Sequence, residues 1–540
     1  MLGRMMQTPL AISHLLERAR NYFPTRTVAS VRPDRSIKRF TYGEFAERTA
    51  RLANALRALG VQDGDRVATL CWNHHEHLEC YYAVPSMGAI VHTLNIRLNP
   101  TEIGWIANDA QDTVVIVDAS LLGLFEQFRP AITSLKHVIV VRDTGAPLPP
   151  GYLDYEVLLA AERPEHAWPT LDENTAAMIC YTSGTTGDPK GALYTHRTIV
   201  LHALVVCMPD VIGFAMADTV LPVVPLFHAC GWGLPYAGVL VGANMVLPGP
   251  YLDPASLLGL MEGERVTVAA GVPTIWLGIL ALLDADPQRY DLSAMRVMAI
   301  GGSAAPASLI AGFKTRHSLD VLHAWGMTET SPVGTVARVK PHLRGDAAQE
   351  LALCATQGLP VPLVDTRHVD DGGRVLAWDG HSIGELEVRG PWVSASYLHD
   401  HDPSRWSADG WFKTGDVVTV DVEGYVTITD RAKDVIKSGG EWISSVALEN
   451  ALMAHPAIAE AAVFAATHPK WTERPVAAIV VRPGAEVTDA ELAAHLAATF
   501  SKIQMPDAFV RVAQVPRTST GKFLKSALRA QYGAILMPNG

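Results

Sequence analysis

Charged residues are scarce in this sequence: they make up 18% of its 540 residues, against about 25% in an average soluble protein. Hydrophobic residues reach 49%, and the net charge of −11 is spread along the chain without an acidic or basic block. So much apolar material with so little charge excludes a disordered chain. The lack of a basic block argues against nucleic acid as a partner. The composition indicates a large globular protein with a well-buried core.

Cysteine is also rare, and the cysteines are far apart in the sequence. The six are Cys71, Cys80, Cys180, Cys207, Cys230 and Cys354. No two of them form a Cys-x-x-Cys pair, which argues against a metal-binding knuckle or a dense disulfide framework. We expect reduced thiols in the core and therefore a reducing compartment.

The sequence has no long uninterrupted apolar run. A membrane-spanning helix needs about 20 consecutive apolar residues, whereas prolines, among them Pro222, Pro225 and Pro235, interrupt the most apolar region, residues 220–250. Charged residues between Arg4 and Arg20 replace the apolar stretch that a signal peptide would have. The sequence therefore predicts a cytoplasmic protein without stable membrane insertion.

Short apolar segments alternate with helical segments from residue 66 onward. The predicted strands are residues 66–71, 89–92, 113–117, 137–141, 267–270 and 297–300. Between the first two, we expect an amphipathic helix that Asn73 caps and that runs to Met87. Regular strand–helix alternation predicts an α/β fold with doubly wound, mostly parallel sheets covered on both faces.

The pattern changes near residue 430. A basic, glycine-containing loop at residues 431–440 leads into a helix near Ser445, followed by alternating apolar segments at residues 460–465 and 476–481. A length of 540 residues is too great for one compact core. We therefore predict a large N-terminal domain, residues 1–429, and a small α+β domain, residues 430–540.

The strongest chemical signal is the segment Tyr-Thr-Ser-Gly-Thr-Thr-Gly-Asp-Pro-Lys-Gly at residues 181–191, which follows an apolar strand. Glycines let backbone N–H groups approach phosphate oxygens, hydroxyl groups add donors, and Lys190 adds positive charge. The spacing does not fit the Walker phosphate loop, which needs Gly-Lys-Ser/Thr after a Gly and four further residues. A phosphate-binding loop of another kind is the better interpretation than an ordinary turn.

This segment resembles the phosphate loop of the AMP-forming adenylating superfamily, which includes acyl-CoA synthetases, beetle luciferases and peptide-synthetase adenylation domains. Further motifs that resemble this family follow in order along the whole chain. They lie at residues 325–332 (Trp-Gly-Met-Thr-Glu-Thr-Ser-Pro), 411–416 (Trp-Phe-Lys-Thr-Gly-Asp), 424–434, 437–444 (Lys-Ser-Gly-Gly-Glu-Trp-Ile-Ser) and 516–522 (Pro-Arg-Thr-Ser-Thr-Gly-Lys). Within the family, residues 323–329 and 438–442 look like those of medium-chain fatty-acyl-CoA ligases and 3-methylthiopropionyl-CoA ligases.

The resemblance implies an enzyme that uses ATP to convert a carboxylic acid into acyl-AMP and pyrophosphate, and then into acyl-CoA and AMP. The substrate would be a medium-chain fatty acid or a similar apolar acid, such as 3-methylthiopropionate. It also implies a small barrel-like part in the large domain and a mobile C-terminal domain with its hinge at Asp430. Two alternatives are a free-standing enzyme that loads an acyl group onto a carrier protein, and a non-catalytic nucleotide-binding protein. A homodimer is compatible with this prediction.

Roles for single residues follow from the same motifs. Thr328 would bind the α-phosphate, Glu329 would hold Mg²⁺ together with Thr185, Asp416 would accept both ribose hydroxyls, and Arg431 would contact ribose or phosphate. The residues assigned to ATP and CoA are Thr182, Ser183, Gly184, Thr185, Thr186, Lys190, Gly301, Gly302, Ser303, His323, Ala324, Trp325, Gly326, Asp416, Arg431, Lys437, Gly439, Gly440, Glu441 and Trp442.

Lys522 matches the lysine of the family that acts in adenylation. Two anions, the acid carboxylate and the α-phosphate, must meet in this step, and a long ammonium side chain offsets their repulsion. The loop from Lys437 to Trp442 would instead line the pantetheine tunnel after a rotation about Asp430. Lys522 and that loop would then serve alternate conformations of the enzyme.

The acyl pocket is expected around His228, Trp232, Gly301 and Pro332. In the ligases that this chain resembles, a histidine and a gating tryptophan occupy the places of His228 and Trp232. Alternatively, His228 is a buried core histidine without a role in binding, and Trp232 only fills space in the core. These segments contain no carboxylate that could pair with an α-ammonium group, which argues against amino-acid substrates.

The cluster His74-His-Glu-His77, with Cys80 nearby, superficially suggests a metal site. Its spacing does not match His-Glu-x-x-His, in which two histidines four residues apart share one helix face. We therefore do not predict a metal there.

Overall fold

The computed structural model describes residues 3–142, 147–182, 188–431, 434–438, 441–518 and 522–537, with the backbone alone described for Lys437, Glu441 and Trp442. The helices of this part of the chain are α1 (Ile12–Tyr22), α2 (Tyr42–Ala58), α3 (His75–Ser86), α4 (Pro100–Asp109), α5 (Leu122–Phe128), α6 (Tyr155–Ala160), α7 (His196–Val206), α8 (Leu234–Val241), α9 (Pro254–Gly263), α10 (Pro273–Ala285), α11 (Ala307–His317), α12 (Ala347–Ala355), α13 (Ser445–Ala454), α14 (Asp489–Ala497) and α15 (Lys525–Tyr532).

The strands follow the predicted alternation with these helices. They are β1 (Thr27–Val31), β2 (Ile37–Thr41), β3 (Arg66–Leu70), β4 (Ile90–Thr93), β5 (Asp112–Asp118), β6 (His137–Val141), β7 (Leu153–Asp154), β8 (Ala176–Tyr181), β9 (Gly191–Thr195), β10 (Thr219–Pro222), β11 (Asn244–Leu247), β12 (Val268–Gly271), β13 (Val297–Ile300), β14 (Val321–Gly326), β15 (Val333–Val336), β16 (Leu359–Pro360), β17 (Asp365–Val369), β18 (Gly384–Arg389), β19 (Phe412–Val420), β20 (Val426–Arg431), β21 (Ile436–Ser438), β22 (Glu441–Ile443), β23 (Ile458–His468), β24 (Thr472–Val481) and β25 (Ala508–Arg511).

Two large sheets dominate the N-terminal part of the described chain. One has the order β7-β6-β5-β3-β4-β8-β9, and the other has the order β16-β15-β14-β13-β12-β10-β11-β1-β2. In the first, every pairing is parallel except β8 with β9. In the second, the antiparallel pairings lie at the two ends. These sheets confirm the predicted mostly parallel, doubly wound α/β fold.

A buried helix, α3, lies between the two sheets. It contacts β3, β4 and β8 of one sheet and β1 of the other, and all of its residues are buried. The predicted amphipathic character of this helix is therefore wrong, because sheets cover it on opposite sides and leave no solvent face. His74, not Asn73, stands at the N-cap position of α3, since the Asn73 amide instead donates to the carbonyls of Pro222 and Val224.

Polar side chains of this buried region pair with one another. His74 Nε2 lies 2.7 Å from Asp118 Oδ1, and its Nδ1 lies 2.9 Å from Glu76 Oε2. Arg32 donates to Glu76 at 2.7 Å. Burial opposes charge on His74, but the two carboxylates outweigh it and raise the pKa of His74 to about 10. Ion pairing thus accounts for His74, whereas His77 Nε2 lies 2.9 Å from Thr69 Oγ1.

Local signals in the sequence fix several helix starts. Thr41 and Glu44 form a reciprocal capping box at the start of α2. Asn99 caps α4, whose first residue is Pro100. Proline is favoured there because the first helical N–H has no partner within the helix. These caps place α2 and α4 where the sequence pattern predicts helices.

Two smaller sheets follow; the first is antiparallel throughout, and the second is antiparallel except for the parallel pairing of β24 with β25. Strands β17 to β20 form one sheet in chain order, and the predicted barrel-like part of the large domain remains a prediction. Strands β21 to β25 form the other, around its own core that includes Ile436, Leu448 and Phe464. A small C-terminal domain thus follows the large one, as predicted. Its boundary at residue 430 and the hinge remain predictions.

Among the described residues, no helix combines the length and hydrophobicity needed to cross a membrane.

Candidate active site

A cavity of about 400 Å³ opens at the carboxyl ends of the parallel strands. This is where α/β sheets generally bind ligands. The described residues that line it are Thr182, Asp188, Lys190, His228, Ala229, Trp232, Gly301, Gly302, Ala324, Trp325, Gly326, Met327, Thr328, Glu329, Pro332, Val333, Glu385, Tyr397, Arg405, Lys413, Thr414, Gly415, Arg431 and Lys522. Residues from five separate sequence motifs therefore meet in one cavity.

The phosphate-loop segment joins β8 to β9, which pair as an antiparallel hairpin. Thr182 and Lys190 hold its two ends together: the Thr182 amide donates to the Lys190 carbonyl at 2.9 Å, and the Lys190 amide donates to Thr182 Oγ1 at 3.1 Å. The predicted ligands Ser183, Gly184, Thr185 and Thr186 lie outside the described residues. Lys190 Nζ lies 2.5 Å from Asp402 Oδ2.

Thr328 and Glu329 lie in the turn after β14, and both are buried at the cavity wall. The Tyr194 hydroxyl donates to the Thr328 carbonyl at 2.6 Å. The Tyr397 hydroxyl donates to Glu329 Oε1 at 2.5 Å. Burial, together with the neighbouring Glu329 carboxylate, raises the pKa of Tyr397, which keeps this hydroxyl protonated as a donor. Glu329 is thereby fixed in one orientation with its carboxyl group at the cavity.

Trp325 and Asp416 are joined by a direct hydrogen bond. The indole Nε1–H of Trp325 donates to Asp416 Oδ2 at 2.8 Å, and Arg431 Nε lies 3.2 Å from Asp416 Oδ1. The three residues come from β14, β19 and β20, on two different sheets. Sequence reasoning assigned Trp325 to ATP or CoA binding, Asp416 to the ribose hydroxyls, and Arg431 to ribose or phosphate. The structure places them side by side.

Gly301 and Gly302 form a wall where a larger residue would not fit. A Cβ on Gly301 would lie 2.9 Å from the Ala324 carbonyl oxygen and 3.1 Å from Cη2 of Trp232. Gly302 has φ +80°, a conformation that favours glycine. Ser303, His323 and Ala324 line a second, adjoining cavity of about 180 Å³.

His323 is buried with both ring nitrogens engaged by the backbone. Its Nδ1 lies 3.3 Å from the Ala355 carbonyl oxygen, and its Nε2 accepts from the Ala305 amide at 3.4 Å. Burial lowers the pKa of His323 to about 4, so its imidazole is neutral near pH 7. These bonds tie the loop that follows β13 to strand β14. A direct contact of His323 with nucleotide or CoA remains a prediction.

His228 and Trp232 flank a turn with an unusual backbone. Five successive residues, Ala229 to Gly233, have positive φ, and three of them are not glycine. Such residues cost about 1–3 kcal/mol each and require support from their surroundings. Burial, with Lys522 and Arg97 nearby, lowers the pKa of His228 to about 3, so its imidazole is neutral. Burial raises the pKa of the Cys230 thiol, which fits a packing residue rather than a nucleophile.

Trp232 separates the main cavity from a small apolar one. His228, Trp232 and Gly302 line both, and the small cavity has a volume of about 20 Å³. Its other described lining residues are Arg97, Val223, Val224, Pro225, Phe227, Val272 and Ile275. Pro332, also predicted for the acyl pocket, lines the main cavity.

Lys522 of the C-terminal part lines the main cavity. Its loop is closed by the Thr518 amide, which donates to the Lys522 carbonyl at 2.7 Å. Three residues later, buried Lys525 forms an ion pair with Glu449 on α13 at 2.7 Å. This pair holds the start of α15, and hence the Lys522 loop, against α13.

The predicted CoA-binding loop forms the hairpin of β21 and β22, in which Lys437 pairs with Trp442 and Ser438 with Glu441. Gly439 and Gly440 lie outside the described residues. The hairpin and the Lys522 loop belong to the same C-terminal part of the chain.

Sequence reasoning missed several cavity residues. Those with a charged or tyrosine side chain are Asp188, Glu385, Tyr397, Arg405 and Lys413. Asp188 and Lys413 lie inside quoted motifs and could have been found there. Tyr397 and Arg405 lie between motifs, and only the folding of residues 397–405 against β9 brings them to the site.

The geometry defines a nucleotide-binding α/β enzyme whose cavity combines cations, a buried carboxylate and an apolar extension. Residues 16–398 match the AMP-binding enzyme family, and residues 447–522 match the AMP-binding enzyme C-terminal domain. The chain belongs to the AMP-binding enzyme family. The family prediction made from the motifs is confirmed.

Curated relatives match over almost the whole chain. A long-chain-fatty-acid–CoA ligase of Thermus thermophilus is 49% identical over 98% of this chain and 96% of its own. A medium-chain-fatty-acid–CoA ligase of Ectopseudomonas oleovorans is 44% identical over 99% and 98%. A 3-methylmercaptopropionyl-CoA ligase of Ruegeria lacuscaerulensis is 44% identical over 98% and 99%. These relatives bear out the prediction of an acid–CoA ligase.

Among solved structures, the anthranilate CoA ligase AuaEII in complex with anthranoyl-AMP superposes with a TM-score of 0.87 and 26% identity. The match covers 98% of each chain. This likeness confirms the predicted fold with its large and small parts.

Proposed function

We propose that this chain is an ATP-dependent acid–CoA ligase for an apolar acid, such as a medium-chain fatty acid or 3-methylthiopropionate. The observation that carries the proposal is the meeting of Lys190, Glu329 and Lys522 in one cavity, beside the apolar pocket behind Trp232. ATP, CoA and the acid are the small-molecule partners. We place the enzyme in the cytoplasm, where ATP and CoA are available.

In the first half-reaction, an oxygen of the acid carboxylate attacks the α-phosphorus of ATP. The bond from that phosphorus to the bridging oxygen of the β-phosphate breaks, and pyrophosphate leaves with the electron pair. Lys522 would bridge carboxylate and α-phosphate, Lys190 would bind the departing phosphates, and Thr328 would hold the α-phosphate. Preorganised charges of this kind are among the largest contributions to catalysis.

The site also fits a magnesium ion. Glu329 is a buried carboxylate with one oxygen held by Tyr397 and the group facing the cavity. Mg²⁺ prefers few carboxylates together with phosphate oxygens. Glu329, with Thr185 as the second proposed ligand, would hold the ion, which would offset the charge of the triphosphate.

In the second half-reaction, the thiol sulfur of CoA attacks the acyl carbon of the adenylate, AMP leaves, and the thiol proton is released. His228 is neutral and lies at the junction of the two cavities, where an N–H donor can orient the acyl carbonyl. We propose that the C-terminal part turns about Asp430 between the half-reactions. The loop from Lys437 to Trp442 would then line the path of the pantetheine arm.

The small pocket supports an apolar acid. None of its described lining residues is a carboxylate, and most are apolar. An amino-acid substrate would bring an ammonium group to this pocket without a counter-ion, at a cost of several kcal/mol. The chain length of the acid depends on how far the pocket opens when Trp232 moves. A homodimer remains a prediction.

The function is tested by following pyrophosphate with and without CoA, for a series of acids from three to sixteen carbons. We expect acid-dependent ATP–pyrophosphate exchange without CoA, and an acyl-CoA product, identified by its mass, with CoA. Exchange without an acyl-CoA product, but with acylation of a phosphopantetheinyl carrier protein, would favour a carrier-loading enzyme. No acid-dependent exchange with any of the acids would contradict the proposal.

A further inference from the structure

The phosphate-loop lysine has an internal partner. Lys190 lines the main cavity, yet its Nζ lies 2.5 Å from Asp402 Oδ2, a residue 212 positions later. The two side chains are 22% and 30% exposed, so the pair lies at the rim of the cavity rather than on open surface. The same Nζ lies 5.5 Å from the centre of the Tyr397 ring. The cation that would bind phosphate is thus already neutralised by the protein.

Asp402 belongs to a strap, residues 397–405, that crosses the β8–β9 hairpin. At its start, Tyr397 donates to Glu329, and at its end, Arg405 lines the cavity. Leu398 packs against the backbone at Gly191. The strap therefore contacts two groups assigned to ATP, Lys190 and Glu329, from one side.

A hydrogen bond within the strap orients the Asp402 carboxylate. Its backbone has φ +54°, in the left-handed region, which aspartate adopts more readily than most residues. Ser404 Oγ donates to Asp402 Oδ1 at 2.5 Å, which leaves Oδ2 for Lys190. The hydrogen bond from Lys190 lowers the pKa of Asp402 most, and the bond from Ser404 lowers it further. The side chain of Asp402 is therefore a carboxylate near pH 7.

We infer that Asp402 is an exchangeable counter-ion of Lys190, which the terminal phosphates of ATP displace on binding and which replaces pyrophosphate when it leaves. This inference rests on the proposed function. A lysine ammonium has three donors on one small centre. A carboxylate in contact with it competes directly with phosphate oxygens and repels those that approach.

The opposite interpretation is that Asp402 only positions Lys190 for phosphate. The two interpretations predict effects of opposite sign. If Asp402 competes with phosphate, its removal strengthens the binding of pyrophosphate and slows its release. If Asp402 positions Lys190, its removal weakens the binding of every phosphate ligand that reaches this lysine.

The experiment compares wild type with Asp402→Asn, which keeps the size of the side chain and removes its charge. We expect the inhibition constant of pyrophosphate and the KM for ATP each to fall by about fivefold, because a contacting ion pair at a partly exposed site is lost as a competitor. Inhibition by AMP, which has no β- or γ-phosphate, should stay unchanged. The matched control is Asp409→Asn, since Asp409 pairs with Arg367 at 2.7 Å outside the cavity.

Direct binding separates this inference from the proposed function. Isothermal titration with pyrophosphate and with tripolyphosphate needs no acid substrate and no turnover. Tighter binding to Asp402→Asn than to wild type supports the counter-ion role whatever acid the enzyme uses. Equal or weaker binding, with melting temperatures unchanged, overturns it. A failure of acid-dependent exchange in the wild type would instead contradict the ligase function.

Discussion

The indole of Trp232 lies against the backbone of Gly301, so close that a Cβ on this glycine would be 3.1 Å from Cη2 of the ring. The ring closes the apolar pocket on one side and faces the main cavity on the other. The residue stands in a turn of five residues with positive φ, a backbone arrangement that the surrounding contacts must hold in place. This relationship leads to the first prediction.

Trp232→Ala should shift the substrate preference toward longer acids. Removing the indole joins the two cavities, and each additional buried methylene of the acid gains about 0.8 kcal/mol. The measurement is kcat/KM for acids from four to sixteen carbons with wild type and variant. If Trp232 is instead plain packing, the profile will stay the same and the protein will lose about 3–5 kcal/mol of stability. Melting temperatures recorded beside the kinetics distinguish the two results.

Lys522→Ala should reduce acyl-AMP formation by about 10²–10³-fold, because one preorganised charge is lost from the adenylation step. Conversion of supplied acyl-AMP to acyl-CoA should survive, since Lys522 acts before that step. ATP–pyrophosphate exchange and thioesterification are measured separately. Lys502→Ala, an exposed lysine of the same domain, is the control. Exchange close to the wild-type rate in Lys522→Ala would refute the assigned role.

Glu329→Gln should lower the rate and raise the magnesium concentration needed for half-maximal activity. The amide keeps the size of the side chain and its bond from Tyr397, but it loses the charge that favours a divalent ion. Initial rates are measured over a range of magnesium concentrations at fixed ATP. Glu385→Gln changes another carboxylate at the cavity, whose Oε1 accepts from the Gly415 amide at 3.1 Å. Glu385→Gln should leave the magnesium requirement at the wild-type value. An unchanged magnesium requirement in Glu329→Gln would mean that Glu329 has a structural role and does not bind the ion.

Asp430→Pro should affect the two half-reactions unequally. Proline fixes φ near −65° at the proposed hinge and favours one orientation of the small domain. Asp430 is buried, and its Oδ2 accepts from the Ser445 amide at 2.8 Å, so loss of the side chain has its own cost. Asp430→Asn, which keeps a hydrogen-bond acceptor and a free backbone, separates the two effects. Equal losses in both half-reactions, with a lower melting temperature, would mean that the substitution had damaged the fold.

His74 should stabilise the protein in a pH-dependent way. Its pKa is raised to about 10 in the folded protein from an ordinary value of 6.5. The stabilisation is therefore fully present below pH 6.5 and is lost as the pH rises toward 10, because the folded state holds a proton that the unfolded state has released. Urea unfolding is measured at pH 7 and at pH 9. From the lower to the higher pH, the free energy of unfolding should fall less in His74→Gln than in wild type. His14→Gln, at an exposed position, should follow wild type.

The sequence by itself determined the family, the positions of six strands of the large domain and most of the described residues at the cavity. Glycines, hydroxyls and lysine in a fixed order are a local requirement for binding phosphate, so they are visible without a structure. Capping residues such as Thr41 and Asn99 are local in the same sense, since they act within one turn of helix.

Only the tertiary structure decided how distant residues pair. Lys190 with Asp402, Glu329 with Tyr397 and Trp325 with Asp416 are separated by 212, 68 and 91 positions. No periodicity or motif links the members of such pairs, because their contact depends on how the loops between strands pack. The burial of α3 has the same origin. Its polar residues predict an amphipathic helix with a solvent face, but two sheets cover the helix. Polar side chains at its start are buried because they have partners elsewhere in the chain, as His74 has in Asp118.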